Sequence, residues 1–413
     1  MKICNYKDID ASFFQKIEFE SISSVNEIIS DIRKNGDKAI KKYAKKFDGE
    51  DIKAFRLTDK EIKKAVENVD KKTIDTIKFA IKNVKEFAKA QFNSVKEIEV
   101  NVNGNTLGQK IVPLDSVGCY IPGGNYPLPS SAVMTIVPAK VAGVKRVIAM
   151  SPKIKDVTIA AAHLAGADEI YRIGGVQAIA AMAYGTETIK KVNKIVGPGN
   201  KFVTSAKKQV FGECGIDFLA GPSEVLIVAD NSANPDFIAA DMLAQCEHDK
   251  DARAFLICFS KEFAQKVDKK AKEYLQKLPT KEIAQISYDK SIAVVVNSIN
   301  EAIELSNNKA PEHLEFCLDG AQDIMKFTNY GSLFIGNYSA EVFGDYVSGT
   351  NHTLPTNQVA KYSGGLSVFD YFKIQTYQII NEKSVKETAQ KASALAEKEG
   401  LFAHKLAADV RII

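Results

Sequence analysis

From about residue 116 the chain alternates short apolar runs with helix-length segments, and this alternation constrains its fold more than any other feature. "VKRVIAM" (144–150), "DEIYRIGG" (168–175), "NKIVGPG" (193–199), "EVLIVAD" (224–230), "RAFLICFS" (253–260), "SIAVVVN" (291–297) and "GSLFIG" (331–336) have the length and composition of strands. Between most of them lie segments that suit helices, such as "VTIAAAHLAGA", "VQAIAAMAYG", "KFVTSAKKQVFG" and "NPDFIAADMLAQ". A near-continuous apolar strand has no solvent face, so it needs helices on both sides. The pattern therefore predicts an α/β chain with open, mainly parallel sheets, and the number of strands suits two sheets better than one. Residues 24–98 read as Lys-rich helices with solvated outer faces, and "VKEIEVNVNGNTLGQKIVPL" reads as a hairpin around Asn-Gly. The tail from 383 to 413 is helical and polar, with too little apolar surface for a core of its own, so it is expected to pack on something else.

Composition excludes several classes. The chain has 413 residues, 45% hydrophobic and 26% charged, as a soluble globular protein has. Its 55 basic and 51 acidic residues leave a net charge of +4, which implies neither nucleic acid nor a membrane surface. No run approaches the roughly 18 apolar residues of a membrane span, and "MKICNYKDIDASFF" lacks the layout of a secretory signal. Six cysteines are scattered without a CxxC pair, which points to reduced thiols and a cytoplasmic location.

Chemistry concentrates in a few places. "MLAQCEHDK" (242–250) sets Gln245 and His248 three apart, a spacing that shares a helix face. A polar helix end explains the same residues equally well. Of five histidines, His163 lies in an apolar helix and reads as a packed structural residue. His313 follows Glu312 in "KAPEHLEF", a pairing of a base that titrates near neutrality with a carboxylate. Adjacent strand residues face opposite ways, so the pair can share a pocket only if the backbone turns there. His352 sits in the loop segment "GDYVSGTNHTLPT". The glycine-rich "CYIPGGNYPLPSS" (119–131) and "AGPSEVL" (220–226) could admit an anion, although tight turns account for them as well. Neither GxGxxG after a strand nor GxxxxGK[ST] is present.

Taken together, "YIPGGNYPLPSS", "GGVQAIAAMAYGT", "GPGNKFVTSAKKQV", "AGPSEVLIVAD", "LAQCEHD", "APEHLE", "GDYVSGTNHTLPT" and "EGLFAHK" resemble the histidinol dehydrogenase family in order and spacing, from about residue 25 to the end. The resemblance implies oxidation of L-histidinol through L-histidinaldehyde to L-histidine with two NAD+, the last steps of histidine biosynthesis. It implies two incomplete Rossmann-like domains: 24–119 with 224–365 carrying most zinc and catalytic residues, and 120–223 binding NAD+. A helical arm at 1–23 and a helical dimerisation segment at 366–413 would complete the chain. One Zn2+ per subunit is implied on Gln245, His248, Asp345 and His404, the last supplied across a homodimer, while Cys246 is not a ligand. His313 corresponds to the general base and Glu312 to the carboxylate that activates water. Ser223, His352 and Glu399, with the zinc ligands and His313, correspond to substrate contacts; Tyr120, Gln177 and Asn200 correspond to NAD+ contacts. Asn125, Tyr126 and Pro129 in the first glycine loop vary from the family's usual form.

Two other readings keep the same residues. A zinc- and NAD-dependent dehydrogenase of another amino alcohol would retain the ligands and change the imidazole contacts. A zinc-held dimer sensing an imidazole ligand would have no use for Glu312 and His313.

Overall fold

The computed structural model describes the chain except residues 10, 17–21, 50, 124, 125, 319, 320 and 413, so the expectation at Asn125 lies outside the described residues. Strand β1 (Lys2–Asn5) opens it, followed by helices α1 (Ser23–Asp48), α2 (Asp59–Asn68) and α3 (Lys71–Asn93). Local sequence sets the helix ends. Thr58 and Glu61 form a reciprocal capping box on α2, Asp70 caps α3, and α1 stops at Gly49 with φ 70°. The hairpin β2 (Ile98–Val102) and β3 (Asn105–Pro113) turns through Asn103 and Gly104, both at positive φ, as a tight hairpin requires.

The next stretch builds a parallel sheet from β4 (Ser116–Tyr120), β5 (Arg146–Met150), β6 (Glu169–Tyr171), β7 (Lys194–Val196) and β8 (Gly215–Ile216). Its order is β6-β5-β4-β7-β8, and α4 (Pro129–Val141), α5 (Asp156–Ala165), α6 (Gly175–Tyr184) and α7 (Lys201–Val210) connect the strands. The N-terminal helices belong to this sheet. Val25, Ile29 and Ile40 of α1 pack with Ile148 and Ile179 on one face, and Ile77 and Val84 of α3 pack with Val133, Ile136 and Val147 on the other. The expected grouping of 24–119 with 224–365 therefore does not describe the packing. An amphipathic stripe says that a helix covers a sheet, but not which one.

A second parallel sheet follows, from β9 (Glu224–Ala229), β10 (Arg253–Cys258), β11 (Ile292–Val295), β12 (His313–Cys317) and β13 (Ser332–Ile335). Its helices are α8 (Pro235–Cys246), α9 (Lys261–Leu275), α10 (Lys281–Tyr288), α11 (Ile299–Lys309) and α12 (Glu341–Tyr346). The order is β1-β11-β10-β9-β12-β13. The first residues thus form an edge strand beside β11 where a helical arm was expected. Four residues, KICN, are too few to show a strand's alternation against their polar flanks. Every residue of β9 is buried, which explains its unbroken apolar run; each buried Val or Ile contributes about 1.5–3 kcal/mol.

The chain closes with β14 (Phe372–Ile379), antiparallel to β3, then α13 (Glu382–Lys398) and α14 (Phe402–Asp409). Asn105 ties α13 to the hairpin, its Oδ1 accepting from the Asn381 backbone at 3.1 Å and the Ser384 hydroxyl at 2.5 Å. Leu395, Phe402, Leu406 and Val410 remain largely exposed on this helical pair. Among the described residues no helix is long and apolar enough to cross a membrane.

Candidate active site

The reactive residues gather at the N-terminal edge of the six-stranded sheet. In its register His313, the first residue of β12, lies between Val225 of β9 and Ser332 of β13. Helix α8 runs back from the far end of β9, so its last turn delivers Gln245 to this same edge, with His248 just beyond. Open parallel sheets usually place ligands at the opposite, carboxyl edge.

The turn that Glu312 and His313 need is present. Ala310 caps α11 at φ 48°, and Pro311 leads into the strand. Gly331 makes room for it, because a Cβ there would stand 2.5 Å from the Glu312 carbonyl oxygen. Glu312 and His313, both buried, then approach to 3.8 Å between Oε2 and Nδ1. The Glu224 backbone holds both. Its N–H donates to Glu312 Oε2 at 2.9 Å, and its carbonyl lies 3.2 Å from His313 Nδ1. A carbonyl only accepts, so Nδ1 carries the proton in that bond and Nε2 faces the site. His313 Nε2 is buried without a hydrogen-bond partner, 3.6 Å from Asp345 Oδ1.

Helix α12 contributes Glu341 and Asp345, four apart and on one face. Glu341 Oε1 lies 3.6 Å from His313 Nδ1, and Asp345 Oδ2 lies 3.9 Å from His248 Nε2. His248, Glu341 and Asp345 each offer a ligand atom within 4.8 Å of the others. His352 is half-buried, and its Nε2 has no hydrogen-bond partner. Beneath this layer Glu315, on the same strand face as His313, accepts from the Glu341 backbone at 2.8 Å. Glu224 also forms a buried ion pair with Lys309 at 2.6 Å.

Electrostatics follow from that crowding. Burial pushes Glu312 up to about 7, with His313 and the Glu224 N–H acting against it. Burial disfavours a charged His313, but Glu341, Glu312 and Asp345 outweigh it and raise the imidazole well above its usual value. Asp345 stays low despite burial because the His313 imidazole stands 3.6 Å away and His352 and His248 lie near. Burial lowers both His248 and His352. Burial raises Asp241 to about 6 and lifts its partner Glu315 well above the carboxylate range.

These residues fit a zinc ion. Gln245 is fully buried with neither amide atom hydrogen-bonded, a state that costs about 1–3 kcal/mol per group; a cation would satisfy Oε1. Gln245, His248 and Asp345 present oxygen and nitrogen donors, which suit a borderline cation. The site also holds more carboxylates than cationic groups. Cys246 points elsewhere, its buried Sγ 3.9 Å from Ser291 Oγ.

The other resemblance-derived residues fall in three places. Ser223 sits directly before β9 at the same edge. Tyr120, Gln177 and Asn200 lie at the carboxyl edge of the five-stranded sheet, around the point between β4 and β7 where strand order reverses. There Tyr120 accepts from the Gly175 N–H at 3.0 Å, Gln177 is buried in the first turn of α6, and Asn200 caps α7. Glu399 and His404 are exposed on the C-terminal helical pair, outside the cluster formed by His248, Glu341 and Asp345. His163, expected to be packed, is exposed: α5 buries Thr158, Ile159 and Ala162 and turns His163 outward. Sequence reasoning passed over Glu341 and the Glu224–Lys309 pair. The spacing of Glu341 to Asp345 in "EVFGDY" carried a signal for the first; nothing local marked the second.

The histidinol dehydrogenase family profile matches residues 15–412. The chain belongs to the histidinol dehydrogenase family. The histidinol dehydrogenase of Methanocaldococcus jannaschii is 46% identical over 396 residues, covering 94% of this chain and 92% of that protein. That of Geobacillus kaustophilus is 42% identical over 406 residues, covering 95% and 94%. A crystal structure of histidinol dehydrogenase from Elizabethkingia anophelis matches with a TM-score of 0.94 at 36% identity, over 100% of this chain and 98% of that one. The chain is thus a histidinol dehydrogenase-family oxidoreductase of histidine biosynthesis, and these matches lend no support to the amino-alcohol or sensor readings.

Proposed function

We propose that the chain oxidises L-histidinol through L-histidinaldehyde to L-histidine at the edge where Glu312, His313, Gln245, His248 and Asp345 converge. Gln245, His248 and Asp345 would hold zinc, with His404 of the partner subunit completing the set. When bound, zinc would anchor the substrate's amino and imidazole nitrogens, and two NAD+ in succession would accept the hydrides. The observation that carries the reading is the orientation of His313: Nδ1 is committed to the Glu224 carbonyl and Nε2 is free, buried and directed at the site. A cation held by Asp345 would offset the carboxylates that raise His313, and the neutral imidazole then takes the hydroxyl proton on Nε2 as the alcohol carbon loses its first hydride. Glu312 then takes a proton from water as the water oxygen bonds to the aldehyde carbon, giving a hydrate that loses the second hydride and becomes the carboxylate. Burial of both residues excludes bulk water from the aldehyde. Ser223, His352 and Glu399 of this reading contact histidinol, while Tyr120, Gln177 and Asn200 hold NAD+.

Metal removal tests the assignment. Chelation should abolish turnover, and stoichiometric zinc should restore it with one ion per chain. Full activity in metal-free protein would overturn the zinc assignment.

A further inference from the structure

The loop after β7, Gly197-Pro198-Gly199-Asn200, lies beside Tyr120 across the point where strand order reverses. It is clamped from behind by a pair the mechanism does not use. Asp217 Oδ2 accepts from the Gly197 N–H at 2.7 Å, and Lys207 Nζ donates to the Gly197 carbonyl at 3.0 Å. Lys207 and Asp217 also form an ion pair with side chains 3% and 0% exposed, too enclosed to meet a ligand themselves. Both polar groups of one residue are thus fixed by one salt bridge. Gly197 needs this fixing, for it stands at φ 114° with room for no Cβ: one would lie 2.1 Å from the Tyr120 carbonyl oxygen.

The clamp also reaches the other site. Asp217 begins a short connector whose Ala220 carbonyl accepts from Thr204 of α7 at 2.9 Å, and whose Gly221 N–H bonds to Thr356 beyond His352. The same connector ends in Ser223 and Glu224, and Glu224 holds Glu312 and His313. One segment of eight residues, 217–224, therefore runs from the back of the Gly197 loop to the catalytic pair.

We infer that Lys207 and Asp217 are positioning residues that fix the 197–200 loop for the dinucleotide and set its place relative to the histidinol site. The inference rests on the proposed NAD+ contacts at Tyr120, Gln177 and Asn200. Both side chains are enclosed, so the clamp acts through loop geometry. A loop already held in its binding conformation spares the cost of ordering it, so loosening it should be visible in cofactor affinity.

The test uses the zinc-loaded enzyme with three variants. Asp217→Asn keeps the shape but removes the charge. Lys207→Gln with Asp217→Asn leaves a neutral pair able to hydrogen-bond and guards against a single variant that fails to fold. Gln177→Ala removes a proposed direct contact. Calorimetric Kd values for NADH and for histidinol are measured separately, with KM for each substrate, zinc content and melting temperature. The clamp variants should raise the Kd for NADH and the KM for NAD+ by roughly tenfold, leaving zinc content and histidinol affinity unchanged. Unchanged NADH binding in a folded clamp variant, with Gln177→Ala weakened, would overturn the clamp alone. Unchanged binding in Gln177→Ala would overturn the NAD+ site on which it rests. Equal loss of histidinol and NADH binding would show general structural damage and also overturn the inference.

Discussion

At the scale of single residues, the site is decided by what each side chain is denied. His313 has its Nδ1 occupied by the Glu224 carbonyl, which leaves only Nε2 for a substrate proton. Glu312 is held by one backbone N–H and is otherwise buried, so its carboxylate is poised near neutrality rather than in the usual acidic range. His313→Ala should retain zinc and lose histidinol oxidation by about 10²–10⁴-fold, the usual size of a general-base contribution. Glu312→Gln should stall after the aldehyde, so that histidinol supports one NADH per active site while added histidinaldehyde is not oxidised; rapid-mixing absorbance separates the two steps. Near-normal rates in either variant would remove the assigned role. Both residues could be named from the sequence, because the run "APEHLE" carries them whole. Glu341 was marked only by its spacing to Asp345, and its burial depends on β12 and α12 meeting across the sheet edge. His163 failed in the opposite sense: the small alanines before it are core, yet α5 leaves His163 itself exposed.

At the scale of elements, the alternation of apolar runs and helices was readable because parallel strands must be buried on both faces. The pairing of those elements was not, since nothing local records that α3 packs on α4 or that β1 adds to β11. The contact between α8 and β12 has a testable consequence of its own. Half-buried Asp241 on α8 and buried Glu315 on β12 form a carboxylate pair, with Asp241 raised to about 6 by loss of solvent. A folded-state pKa above the unfolded one, near 3.9 for Asp, favours the fold fully below that lower value and is lost as pH rises through about 6. Asp241→Asn should therefore raise the melting temperature at pH 8 relative to the parent and do little at pH 4. Melting curves at the two pH values check this, and equal shifts at both would contradict it. Gly331→Ala should disturb the turn before β12, because the new Cβ would press on the Glu312 carbonyl. We expect a folded protein with reduced turnover; unaltered kinetics would show that the turn tolerates the displacement.

At the scale of the whole molecule, two three-layer units are joined so that the proposed cofactor loops and the proposed catalytic edge come from different sheets. Asn83 donates to the Val347 carbonyl at 2.8 Å and Asn351 to the Met134 carbonyl at 2.7 Å, fixing the His352 loop against helices of the other unit. The exposed Leu395, Phe402, Leu406 and Val410 lie on the same helical pair as His404, the ligand the proposed homodimer would share. If the partner subunit's His404 completes each site, mixing His404→Ala with His313→Ala chains should restore activity, since one of the two sites in a mixed dimer is intact. No recovery in verified mixed dimers would place His404 outside the site. Glu399 and His404 come from the resemblance of "EGLFAHK" alone, and a single chain leaves both on its surface.

The most direct test of the central claim is the electron count. Zinc-loaded enzyme is incubated without oxygen with L-histidinol and excess NAD+, nicotinamide reduction is followed by absorbance, and histidine is quantified by mass spectrometry. Two NADH for each histidine formed is the predicted result. A single NADH with accumulating aldehyde, or no reduction by folded, zinc-loaded protein, would contradict the account.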